Sequence, residues 1–146
     1  MKTKAKNRFI NAITLPNYDF IINSPEFKKE GEDFTIWFFE GILEKNPNYM
    51  DCLMYLGNAY TVQGMYEKGL LVDQKLSRLR PTDPLVHYNL ACSYALLKNI
   101  DAAFEALEMA ITVGYKDMYH LERDKDLVYL KEDDRYQKLI EKMKKC

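Results

Sequence analysis

Shifted by 34 residues, the chain matches itself. Leu56, Gly57 and Tyr60 fall on Leu90, Ala91 and Tyr94, while Tyr66, Gly69 and Leu76 fall on Ile100, Ala103 and Ala110. Pro47 falls on Pro81. A fixed period of this length means that one supersecondary unit is copied along the chain and buries its apolar face on the next copy. That excludes most alternatives to a helical array before composition is considered.

Each unit divides into two helices. Leu53, Leu56, Gly57 and Tyr60 follow the i, i+3, i+4, i+7 spacing of one helical stripe, and His87, Leu90, Ala91 and Tyr94 repeat it. Gly64 punctuates the first unit, and a second stripe starts at Tyr66. Asn48 and the Thr82–Asp83 pair are expected N-caps, with Pro84 in a first helical turn. Pro47 and Pro81 close the helices before them. Gly57, Gly69, Ala91 and Ala103 mark where antiparallel helices approach closely. A helical glycine costs about 1 kcal/mol relative to alanine. Burying one large apolar side chain contributes ~1.5–3 kcal/mol, so close packing around Tyr60 outweighs that penalty.

In residue type and spacing, Leu56, Gly57, Tyr60, Gly64, Tyr66, Gly69 and Pro81, then Leu90, Ala91, Tyr94, Ala103 and Ala110, resemble the tetratricopeptide repeat family over two units. Asp73 departs from the pattern, standing where the family usually has an aromatic residue and where the neighbouring units carry Phe39 and Leu107. It signals looser packing or a local polar contact. The resemblance implies an all-α fold, a short right-handed superhelix of helical hairpins with irregular caps. The 146 residues then form a single domain. Residues 1–31 are an apolar N-terminal segment or cap, 32–49 a partial repeat, 50–83 and 84–117 full repeats, and 118–146 capping helices. Phe39, Ile42 and Pro47 precede Asp73, Leu76 and Pro81 by one period, so the partial unit supplies a second helix. "SPEFKKEGEDF" either begins a first helix or merges into one longer helix. Short helices are expected near Met118–Glu122 and Leu127–Leu130. A last one near Asp134–Lys144 should turn Tyr136, Leu139, Ile140 and Met143 inward and show solvent a polar face.

Reactive groups are sparse. Of two histidines, His87 falls on the buried-looking stripe as a packing residue, and five-residue spacing turns it away from Cys92. No Cys–His nucleophile pair is supported. Asp124, Asp126, Asp133 and Asp134 lack the glycine turn and terminal glutamate of a calcium loop, so helix capping accounts for them. No phosphate-cradling motif is present. The expectation is no catalytic residue, no metal and no cofactor.

Formal net charge is -1, which provides no global field for nucleic acid, and no apolar run reaches the ~20 residues of a membrane span. Cys52, Cys92 and Cys146 read as free thiols, and the expected location is cytoplasmic.

By the resemblance, the first helix of each unit lines a concave groove. It would present Met54, Tyr55, Asn58, Thr61 and Val62, then Leu85, Tyr88, Asn89, Cys92 and Leu96, to a peptide or amphipathic helix of another protein. A family subclass grips C-terminal carboxylates; Asn58 and Asn89 match its asparagines, but Met54 and Tyr119 occupy its lysine positions. The implied function is a noncatalytic protein–protein adaptor with a largely apolar groove. The alternative is homo-oligomeric assembly through Phe9, Ile10, Ile13, Leu15, Tyr18, Phe20, Ile21 and Ile22, too apolar a set for a solvated tail. That segment has three possible sites: over the first helix layer, in the groove, or on a second copy.

Overall fold

The computed structural model describes residues 25–145. The apolar N-terminal residues and Cys146 lie outside them, and with them the expected N-terminal cap. Among the described residues there are eight helices and no strand: α1 (Pro25–Lys45), α2 (Met50–Val62), α3 (Tyr66–Leu79), α4 (Pro84–Leu96), α5 (Ile100–Thr112), α6 (Met118–Arg123), α7 (Val128–Lys131) and α8 (Asp134–Lys145). From α1 to α5 each helix packs on the next. The helices α2 and α4 have equal length and start 34 residues apart, and α3 and α5 start at the same offset.

Two sequence boundaries shift. The proposed border between cap and partial repeat at residue 31 lies inside α1, because the stretch from Pro25 onward forms one long helix. Asn48 is not an N-cap. Tyr49 holds that position without a side-chain bond, whereas Asp83 caps α4 through Leu85 N at 3.0 Å, with Pro84 in the first turn.

The hairpin turns share one hydrogen-bond pattern. Met65 N donates to Tyr60 O (2.8 Å) and Gly64 N to Thr61 O (3.0 Å). One period later, Asn99 N donates to Tyr94 O (2.9 Å) and Lys98 N to Ala95 O (2.9 Å). Tyr115 N and Gly114 N repeat the pattern on Ala110 O and Ile111 O. In each case a residue in the left-handed region ends the helix: Gly64 at φ 73°, Lys98 at φ 59°, Gly114 at φ 117°. Lysine is the anomaly, since its Cβ crowds the backbone there.

Close approach explains the small residues. A Cβ on Gly57 would sit 3.3 Å from both Asp73 Oδ1 and Val72 Cγ1, and one on Gly69 would sit 3.2 Å from Thr61 Oγ1 and 3.7 Å from Gly57 O. Ala91 and Ala103, the matching residues of the second hairpin, are fully buried.

The core is uneven. One large cluster joins α4 and α5 to all three C-terminal helices, with Leu107, Leu121, Leu127 and Leu130 wholly shielded. Tyr136, Leu139 and Ile140 enter it as expected and Met143 packs at its edge. Toward α1, the described residues form small clusters, Ile36–Leu56–Tyr60 and Leu53–Leu76–Val86. His87 is a partial correction: it is half-buried, and its Nε2 lies 2.7 Å from Pro81 O, so it secures the incoming loop instead of filling the core.

Candidate functional site

A cleft of about 250 Å³ opens between α2 and α4, with the link from α6 to α7 as one wall. Met54, Asn58 and Thr61 reach it from α2, and Asn89 and Leu96 from α4. A broader depression of about 510 Å³ adjoins it, shares Met54, Asn58 and Asn89, and adds Tyr49, Asp51 and Tyr55. Asn58 and Tyr55 are exposed, and the Tyr55 ring stacks on Phe39 at 5.6 Å. Val62 and Leu85 are exposed but line neither space.

Two expected groove residues, Tyr88 and Cys92, also line the cleft but keep most of their surface inside its wall. Tyr88 is buried, its ring lies flat on Tyr115 at 4.3 Å, and its hydroxyl donates to Asp124 Oδ2 at 2.6 Å. Burial first, and then that bond to a carboxylate, keep the phenol neutral far above its usual range. Cys92 is buried beside it, with Sγ 3.7 Å from Asp124 Oδ2. The reason is tertiary: the chain returns after α6 and fastens onto α4 from the cleft side.

One correction is electrostatic: the floor is polar and acidic where an apolar groove was expected. Asp73, Ser93, Asp124, Asp126 and His120 all line it. Asp73 is almost fully buried and accepts a 2.6 Å bond from Ser93 Oγ, which resolves its departure from the repeat pattern as a local polar contact. Burial outweighs that bond and raises the carboxyl to about 6. Asp126 is also pushed up, by burial and then by the charge of Asp124, while His120 partly offsets this. His120 Nε2 lies 3.5 Å from Asp124 Oδ2.

Cys92, Asp124 and Asp126 bring their donor atoms within 4.8 Å of one another, the group among the described residues that could hold a cation. Both carboxylate oxygens of Asp124 are already engaged. Asp124 Oδ2 accepts from Tyr88 and Cys92, and Asp124 Oδ1 accepts from Asp126 N at 2.9 Å. Burial, together with Asp124 and Asp126, holds the Cys92 thiol well above its usual range, the reverse of what a thiolate nucleophile or ligand needs. Asp117 and Asp133 act as helix caps, through His120 N and Arg135 N. Asp124, Asp126 and His120 carried no groove signal in the sequence, since no local spacing links them to an α4 helix 32–36 residues earlier.

No family model matches the chain. It is 30% identical over 87 residues to a chloroplastic protein of Arabidopsis thaliana, a match that covers 58% of this chain. The chain spans 26% of that relative's length.

Proposed function

We propose that the hairpins α2–α3 and α4–α5 are tetratricopeptide-type units of a short superhelix, and that the chain is a noncatalytic adaptor. It holds a segment of another protein in the cleft between α2 and α4. The equal lengths of α2 and α4 and the matched 34-residue offsets of the two hairpins support the first part.

One observation carries the second part: an open cleft with converging polar groups beside an apolar rim. Met54, Tyr55 and Leu96 offer apolar and aromatic area, and Asn58 and Asn89 offer amides that can pair with an extended backbone. The acidic floor selects against carboxylates and phosphates and favours a segment that extends a lysine or arginine toward Asp124 and Asp126. Because Tyr88 is clamped by Asp124 and Tyr115, the frame is set before binding, which reduces the ordering cost. The raised Cys92 thiol supports a noncatalytic role.

Peptide display on the intact protein tests this reading. The expected consensus is a basic residue flanked by apolar ones, with binding lost in Asn58→Trp and weakened in Asp126→Asn, while far-ultraviolet dichroism stays as in wild type. A display without consensus, or peptides indifferent to Asn58→Trp, removes the cleft as the binding site.

A further inference from the structure

The outer side of α1 carries an aromatic face with no cover among the described residues. Phe34, Trp37 and Phe38 are 59%, 67% and 48% exposed, and the Phe34 ring lies 5.6 Å from Trp37 and 6.1 Å from Phe38. A shallow hollow of about 460 Å³ runs beside Trp37, Phe38 and Ile42. A contiguous apolar patch of this kind marks a docking site.

The repeat register indicates the direction from which cover comes. One and two periods on, Phe38 corresponds to Val72 and Ala106. Val72 lies against Gly57 of the helix preceding its own, and Ala106 is buried in the core. Each later hairpin therefore shields this position, and for α1 the preceding chain must supply the shield. Phe34 and Trp37 correspond to Lys68 and Leu71, both exposed, so for these two rings it is their apolar area, and not the register, that calls for cover.

The chain before α1 has the right content and reach. Residues 9–22 hold eight large apolar side chains and end three residues before Pro25, where α1 begins. Trp37 sits ~18 Å along α1 from Pro25. Fourteen residues span ~21 Å as a helix, or up to ~50 Å extended, so a segment folded back from Ser24 reaches all three rings in either form. Tethering gives it an effective concentration on the order of millimolar, well above that of a second copy at ordinary protein concentrations.

We infer that residues 9–22 fold back onto α1 and cover Phe34, Trp37 and Phe38 of the same chain. The aromatic face is an internal docking site, independent of the cleft, and the apolar segment is thereby withheld from homo-oligomerisation.

Trp37 is the sole tryptophan, so it reports directly on its own cover. In the intact protein its emission is expected to be blue-shifted and resistant to acrylamide, equally at low and high micromolar concentration, with light scattering giving a monomer. Ile13→Asp with Ile21→Asp should red-shift the emission and raise quenching several-fold while far-ultraviolet dichroism still shows the helical array. A solvent-accessible Trp37 in the intact wild type overturns the inference, whatever the variant does. Shielding that appears only with doubled mass assigns the face to a second copy and overturns it too. So does shielding that survives both charges in a folded variant.

Discussion

The hairpins α2–α3 and α4–α5 share a backbone plan and differ in how they are supported. The first has glycines at both close approaches, a glycine in its turn, and a buried carboxylate where the second has Leu107. The second has Ala91, Ala103 and Lys98 at those places. Its core continues unbroken into α6, α7 and α8, while the first hairpin is held between two small clusters. One repeat length can thus carry two kinds of interior, provided that turn geometry and helix ends stay constant. The hairpin backed by the C-terminal helices can spare α4 residues for a cleft wall, because Leu107 and its neighbours hold it from behind.

The contrast is broken or sharpened most strongly in the cores. Leu107→Ala should destabilise the protein by about 4 kcal/mol, near the upper end for a buried leucine, and Leu56→Ala by about 2 kcal/mol. Urea denaturation of both variants decides it; equal losses would mean that the two hairpins are equally well supported.

A smaller effect follows from Asp73. Its folded pKa of about 6 exceeds the ordinary value of 3.8, so the folded protein binds this proton more tightly than the unfolded chain does. The contribution to stability is fully present below about pH 4 and is lost as pH rises through 6. Asp73→Asn keeps an acceptor for Ser93 and should flatten that part of the profile relative to wild type. Thermal melts of both proteins between pH 4 and 7 check it, and an unchanged difference across that range would show that the carboxylate is better solvated than its burial implies.

The smallest effect lies in the turns. Lys98→Gly relieves a left-handed lysine and should add about 1 kcal/mol, and Gly64→Lys should remove a similar amount. Opposite signs of comparable size would establish that the turns are interchangeable.

The helix pairs were legible in the sequence because a period and its stripes are local signals. Asp83, Pro84 and Gly64 followed from the chemistry of caps and breakers, and α6, α7 and α8 lie where the resemblance placed the C-terminal helices. The cleft was legible in part. Met54, Asn58, Thr61, Asn89 and Leu96 line it as expected. Tyr88 and Cys92 line it too, but their burial was not legible, because a helical stripe shows which face a residue shares and not which distant segment will cover it. The acidic floor stayed hidden for the same reason: Asp124 meets Tyr88 only after the chain has passed through α5 and α6 and returned. Asp73 was visible as an irregularity, yet its partner Ser93 lies on the neighbouring hairpin, beyond the range of any stripe.

Because α2 and α4 start and stop at the same phase and leave through the same backbone bonds, a spliced-in copy of 34 residues would join without a seam. If the hairpins stack as proposed, duplication within the gene would lengthen the molecule by whole modules. An insertion within a helix that is not a whole number of turns would rotate the residues beyond it out of phase and leave an apolar stripe with nothing to lie against.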